Sequence, residues 1–303
     1  MNKSQARPVI FGEVLFDRFP DGGGVPGGAP FNVAWSLAAL GYDPLFISRV
    51  GNDADGRALL NAMQRWGMPL DGMQVDPTHP TGEVRVTPGN GGSTYEIAHP
   101  AWDFIDREQT LAAVGSGRPP LIYHGTLALR SPTSRDSLNL LRNTHRTVTF
   151  VDLNLRAPWW NPTGAERGVV GANHVKLNDE ELARLTGRPC GTAEETADAA
   201  QRWFDEWGFE TLVVTRGAAG ALAVDGRGVH HAPPPPTPAA IVDTVGAGDA
   251  FAAVMIAGIL SGWDIRRSVA RAGAFASAVV GLSGATTGDR AFYEPFRREW
   301  HAE

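Results

Sequence analysis

Short apolar runs alternate along the chain with longer stretches in which apolar residues recur at helical spacing. PVIFGEVLF is followed by a helical stretch at 31–40, then by PLFISRVG and a second helix at 55–66. The rhythm returns with LIYHGTL (121–127), a helix near 134–143, TVTFVDLN (147–154), HVKLN (174–178), a helix at 192–207 and TLVVTRG (211–217). Strands this apolar on both faces belong in a parallel sheet covered by helices. The pattern therefore predicts an α/β fold.

Two segments break the rhythm. In EVRVTPGNGGSTYEIA (83–98), apolar and polar residues alternate on both sides of a Pro-Gly-Asn-Gly-Gly turn, which predicts an antiparallel hairpin. LFDRFPDGGGVPGG (15–28) reads as a strand followed by a flexible glycine stretch. Together they predict a small β-sheet lid, built from discontinuous segments at about 14–26 and 80–104, over one end of a single domain spanning 1–303. Closure of such a lid would exclude water from a reaction that water would spoil. The proline tract at 233–238 reads as a stiff surface connection, and no internal repeat is present.

Composition narrows the function classes. With 43% hydrophobic and 20% charged residues, the 303-residue chain has the make-up of a globular protein. The net charge is −6 and the Lys and Arg residues are scattered, so neither nucleic acid nor an anionic membrane is an expected partner. One cysteine, Cys190, allows no intramolecular disulfide and no thiolate metal site, and the N-terminus lacks the apolar stretch of a signal peptide. A cytoplasmic location follows as the expectation. The most apolar segment, 250–260, is too short to cross a bilayer.

The run DTVGAGDAF (243–251) carries the most chemistry. A strand-like entry leads into the small-residue turn Gly246, Ala247, Gly248 and then a helix whose first turn holds Asp249. Side chains no larger than a methyl let a phosphate approach the backbone, where the free N–H groups of a helix start and its dipole meet it. An Asp beside that anion hole is suited to orient and deprotonate an attacking hydroxyl. A plain helix cap explains the same letters. A dinucleotide-binding loop does not, because the run is GAGDAF and lies near the C-terminus, and no Gly-Lys-Ser/Thr follows for a Walker loop.

DTVGAGDAF resembles the C-terminal signature of the ribokinase-like (PfkB) carbohydrate kinases, and GGAPFNVAWSLAALG (27–41) is similar to the N-terminal one. DLNLR, KLNDEE and TRGAAG follow the family's order, so the resemblance covers nearly the whole chain, and GEVLFDRFPDG (12–22) looks most like the fructokinase branch. The resemblance implies a three-layer α/β/α core with a mainly parallel sheet and a small β lid. It also implies ATP-dependent phosphoryl transfer to a sugar, with Asp249 as base and Gly246, Ala247 and Gly248 as the anion hole. Asp17, Gly27, Gly28, Asn32 and Arg156 would hold the sugar. Asn178, Thr215, Gly217, Gly220, Gly246 and Gly248 would contact the nucleotide, and residues 272–284 would offer a small apolar edge to adenine.

The family's Asn-x-x-Glu element falls on Asn178 and Glu181, which implies a hold on Mg²⁺ through water; an N-cap with an acidic first turn gives the same letters. Many members of that family bind a monovalent cation, so the resemblance also implies a site for K⁺ at Asp243 and Val245. Taken alone, Asp17 reads as a solvated strand-end charge, Arg156 also as a surface ion pair, and Trp159 and Trp160 as packing residues rather than a sugar-stacking platform. The acceptor expected is a ketose, fructose first. The alternatives are 2-keto-3-deoxygluconate, whose carboxylate would want Arg156 or Arg85, and a sugar-binding regulatory protein without catalysis. The chain is expected as a monomer or a homodimer paired through its lids.

Overall fold

The computed structural model describes residues 7–18, 23–87, 94–96, 100–234 and 241–301. Within these residues thirteen strands form two sheets. In chain order they are β1 (Val9–Phe11), β2 (Leu15–Arg18), β3 (Gly24–Gly27), β4 (Leu45–Gly51), β5 (Met73–Asp76), β6 (Gly82–Thr87), β7 (Thr94–Glu96), β8 (Leu121–His124), β9 (Val148–Asp152), β10 (His174–Asn178), β11 (Thr211–Thr215), β12 (Ala221–Asp225) and β13 (Gly228–Ala232). The helices are α1 (Ala29–Ala39), α2 (Ala54–Trp66), α3 (Arg107–Val114), α4 (Pro132–His145) and α5 (Pro162–Val169), then α6 (Asp179–Thr186), α7 (Ala193–Trp207), α8 (Ala247–Ser261), α9 (Ile265–Val279) and α10 (Arg290–His301).

The nine-stranded sheet runs β13-β12-β11-β10-β9-β8-β1-β4-β5 and is parallel from β11 to β5, with β12 and β13 added antiparallel at one edge. Alternate residues of each strand feed opposite faces, as the period of two requires. Ile10, Phe46, Tyr123 and Phe150 pack under α1, α8, α9 and α10. On the other face, Val9, Phe11, Ile47 and Ile122 lie under α4, and Val151, Val175 and Val214 under α6 and α7. Helix, sheet and helix thus form the three expected layers.

Local signals explain the helix ends. Pro30 enters α1 at its first turn, Asp53 caps α2 by accepting from the Gly56 N–H at 2.7 Å, and Thr192 with Glu195 forms a capping box at α7. Helix α8 is buried nearly all round from Ala250 to Gly258, which accounts for the apolar run that opens it.

The second sheet is four-stranded, in the order β3-β2-β6-β7. Its hairpin is present, with Thr87 opposite Thr94, while the turn at 88–93 and residues 97–98 lie outside the described residues. The glycine stretch differs from the expectation of a flexible segment. Residues 24–27 form β3, antiparallel to β2 with Leu15 opposite Gly27, because backbone pairing needs no side chains. Of the hairpin's apolar side chains, which the homodimer expectation invoked, Val84 is buried and the others lie outside the description, as do 235–240 of the proline tract. Residues 241–244, expected as a strand-like entry, form no strand; the Val242 and Asp243 N–H groups instead donate to the Val280 carbonyl at 3.0 and 3.2 Å. Among the described residues no helix is long and apolar enough to cross a membrane.

Candidate active site

In a parallel sheet the strand ends point the chain's loops to one edge, and a crevice opens where the order of strands reverses. Here that point is β1, flanked by β4 and β8. Two helices start above it. The N-terminus of α1 brings Asn32 and that of α8 brings Asp249, and the Asn32 Nδ2 donates to Asp249 Oδ2 at 2.7 Å across 217 residues of chain. The Asn32 Oδ1 is buried with no hydrogen-bond partner among the described residues. Burial pushes the Asp249 carboxyl above the ordinary range, while the Asn32 amide, the Lys176 ammonium and the Arg156 guanidinium pull it back.

The turn before Asp249 has little freedom. Gly246 caps α8 at φ 81°, and a Cβ there would collide with Ala285. No hydrogen bond from the Gly248 or Asp249 N–H is found among the described residues, and the Ala247 N–H makes only a long one of 3.4 Å to Thr244. The open N–H groups and the helix dipole therefore face the crevice. Asp243 holds this turn: its Oδ1 accepts from the Val245 N–H at 2.9 Å and its Oδ2 from the Gly284 N–H at 3.2 Å. Residues 280–284, at the end of the small-residue stretch, thereby sit beside the turn.

On the side of the small sheet, Gly27 lies under the Asp17 carboxylate, which a Cβ would strike. Gly28, at φ 105°, caps α1 and lies against the Glu13 carbonyl, leaving 2.7 Å for an added Cβ. Burial first, and then the charge of Asp249, raise the Asp17 carboxyl to about 6; Arg156 opposes them. Arg156 is exposed, follows the end of β9, and its charge acts on Asp17, Asp249 and Glu13 alike. Arg85 falls on β6, opposite Glu96. Trp159 lies half-buried beneath Arg130, 5.1 Å from guanidinium carbon to ring centre, and Trp160 packs against the core.

On the far side, Asn178 ends β10 directly opposite Thr215 on β11. Asn178 and Glu181 form a capping box with bonds of 2.8 and 2.9 Å, and the second Glu181 oxygen accepts from the Leu155 N–H at 2.9 Å. Glu181 thus ties α6 to the loop carrying Asn154 and Arg156. Gly217 and Gly220 shape the turn after β11 at φ 51° and 90°; at Gly220 a Cβ would come within 2.6 Å of the Ala232 carbonyl.

Three charged groups escaped the sequence reading. Lys176 is buried on β10, donates to Asp152 at 2.7 Å, and its Nζ would be 3.4 Å from a Cβ on Gly248, so a cation sits beneath the open turn. The pair holds the ammonium protonated, and Asp152 raises the Lys176 pKa. Glu13 is 3% exposed, its Oε2 has no hydrogen-bond partner among the described residues, and burial pushes it up to about 7. The signal for each was a charge inside an apolar strand pattern: Lys176 within HVKLN, Asp152 within TVTFVDLN and Glu13 within PVIFGEVLF.

The geometry sets a buried carboxylate beside open helix N–H groups, with Asp17, Gly27 and Gly28 of the small sheet on one side and Asn178, Thr215 and the turn after β11 on the other. Comparison with known proteins bears on what it serves. Residues 12–291 match the pfkB family carbohydrate kinases. Fructokinase of Klebsiella pneumoniae is 31% identical, over 82% of this chain and 83% of that protein. A double-mutant fructokinase of Vibrio cholerae, solved with fructose, ADP and potassium ion bound, superposes with a TM-score of 0.78 at 26% identity, covering 97% and 99% of the two chains. The 2-dehydro-3-deoxygluconokinase of Thermotoga maritima shares the fold, with a TM-score of 0.79 at 21% identity over 97% and 99%. With the family matched across nearly the whole chain, this protein belongs to the pfkB family carbohydrate kinases and is an ATP-dependent sugar kinase.

Proposed function

We propose that this kinase is a fructokinase, moving the γ-phosphoryl group of ATP onto a hydroxyl of a ketose, with fructose as the preferred acceptor. The carrying observation is Asp249, set at the open N-terminus of α8 and hydrogen-bonded to Asn32, with Asp17 on the lid side of the same crevice. Fructokinases among the relatives support the choice of sugar.

Asp249 takes the proton as the acceptor oxygen attacks the γ-phosphorus; the new O–P bond forms, the bridge to the β-phosphate breaks, and ADP leaves. The N–H groups of Gly246, Ala247, Gly248 and Asp249 steady the charge on the transferring group, with Lys176 below. Asp17 and Asn32 bind sugar hydroxyls while Gly27 and Gly28 let the ring lie on the backbone. Arg156 reaches a substrate oxygen. Asn178, Thr215, Gly217 and Gly220 border the nucleotide. The small sheet acts as a lid over the acceptor.

The residues present fit Mg²⁺ held through water. Both Glu181 oxygens and the Asn178 Oδ1 already accept backbone N–H groups, so they offer remaining lone pairs rather than a bare carboxylate. When bound, Mg²⁺ neutralises phosphate charge. The Asp243 loop, pinned at Val245 and Gly284, is the place for a monovalent cation, and the Vibrio cholerae relative has potassium bound.

A second reading, an acidic acceptor such as 2-keto-3-deoxygluconate, draws on the exposed Arg156 charge acting on the crevice. A coupled ADP-release assay over a sugar panel separates the two. Fructose with the highest kcat/KM is expected, and turnover confined to the acid would overturn the fructokinase reading. Asp249→Asn should lower kcat by about 10³-fold or more while fructose affinity stays within a few-fold; an unchanged rate removes Asp249 from the role of base.

A further inference from the structure

A cavity of about 810 Å³ opens on the opposite face of the sheet from α8, between α4 and α5. Its floor runs along β9, with Thr147 and Thr149 at one end and Asn154 and Leu155 past the other; the five residues of the strand span about 17 Å. Helix α4, with 14 residues, spans about 21 Å, but α5, with 8, spans only about 12 Å. The shorter helix leaves the lower groove open.

Six arginines line this cavity: Arg130, Arg135, Arg142, Arg146, Arg156 and Arg167. Among the described residues no Asp or Glu lines it, although acidic residues outnumber basic ones in the sequence, 33 to 27. Arg130 is paired with Asp103 at 2.7 Å, and Arg135 approaches Asp136 at 3.8 Å. Arg142, Arg146 and Arg167 have no carboxylate partner among the described residues. Arg142 is half-buried, donates to the Val170 carbonyl at 2.6 Å, and its pKa is lowered by burial alone. On α4 the positions 135, 139 and 142 form one stripe at helical spacing, and Arg146, the C-cap residue just past the helix, lines the same cavity.

Cations at the end of α4 also meet the helix dipole. That accounts for Arg142 and Arg146, and for Arg167 in the last turn of α5, but not for Arg135 in the first turn of α4. Asn139, Asn143, Asn161 and Thr147 add amides and a hydroxyl along the walls, and Trp160 adds an aromatic face. Guanidinium forks for phosphate, amides for hydroxyls and a ring for a sugar face describe one ligand.

We propose that the groove between α4 and α5 is a second binding site, for a phosphorylated sugar, with the phosphate at Arg142, Arg146 and Arg167. The kinase itself releases compounds of this class. The upper end of the groove is shared by Asn154 and Arg156, beside the acceptor niche, so an occupant there competes for the Arg156 charge and raises the acceptor KM.

The test is calorimetric titration of the full chain, with saturating fructose and ADP filling the active site. The probes are fructose 1,6-bisphosphate, fructose 6-phosphate and inorganic phosphate. One equivalent of sugar phosphate is expected to bind, more tightly than inorganic phosphate. The double variant R146Q/R167Q, at two exposed positions, should bind at least tenfold more weakly while its kcat without added sugar phosphate stays unchanged. Arg142→Gln should weaken binding similarly, with Arg142→Lys restoring part of it. Added bisphosphate should raise the fructose KM of the native protein and leave that of the double variant unmoved. Absence of binding, equal affinity in the double variant, or inorganic phosphate binding as tightly as the sugar phosphates would each overturn the proposal.

Discussion

Replacing Glu13 by Gln should stabilise this protein by an amount that grows with pH. Glu13 follows β1 inside the core at 3% exposure, with one carboxylate oxygen lacking a hydrogen-bond partner among the described residues, and burial lifts its pKa from 4.5 to about 7. Between those values the folded chain binds more protons than the unfolded one, so the stability that comes from the neutral carboxyl is lost as pH rises. A shift of about 2.5 units at 1.36 kcal/mol per unit has a ceiling of about 3.4 kcal/mol. About 0.8 kcal/mol of it is lost by pH 5 and nearly all by pH 8, so the advantage of Glu13→Gln should widen by about 2.5 kcal/mol between them. Urea unfolding of both proteins at half-unit pH steps reads this directly, provided the m-value is unchanged. A difference curve that is flat with pH, or that narrows towards pH 8, would refute a neutral buried Glu13.

The same core carries three further expectations. Lys176→Met leaves Asp152 buried without its 2.7 Å partner and should cost about 3–5 kcal/mol, while adding Asp152→Asn should recover most of that in thermal melts without restoring turnover. Gly246→Ala forces a side chain onto φ 81° and into Ala285; a loss of about 2 kcal/mol or more, with activity abolished, is expected from melts and ADP release. Activity should fall as pH drops through the raised Asp249 pKa, because a protonated base cannot accept the hydroxyl proton. Asn32→Ala, which removes the donor favouring the charged form, should move that limb of the kcat/KM profile to higher pH.

Periodicity made the parallel core readable, since strands such as HVKLN and TLVVTRG are buried on both faces and helices such as α7 carry their own caps. The edge hairpin β12-β13 and strand β3 were less visible: pairing there runs through backbone groups, and GVPG has no alternating side chains to betray it. Among the candidate site residues, those in loops with special backbone shapes, Gly28, Gly246 and Gly220, stood out because glycine is conspicuous. Lys176, Asp152 and Glu13 did not, because each sits within a strand whose apolar neighbours set the pattern, and the partner that makes burial tolerable lies elsewhere in the chain. The capping box of Asn178 and Glu181 fits the alternative first read from its letters, and the bond to Leu155 adds a link that no local pattern carries.

The hydrogen bond between Asn32 and Asp249 also has a temporal side. Its partners are separated by 217 positions, so at about 5–20 residues per second a ribosome needs roughly 10–40 s between making one and the other. During that interval the emerging chain holds the small sheet, α1 and most of the large sheet, yet it has neither the open turn nor its carboxylate. ATP meeting a half-made chain finds no group to activate an acceptor, and phosphoryl transfer begins only once α8 has docked on α1.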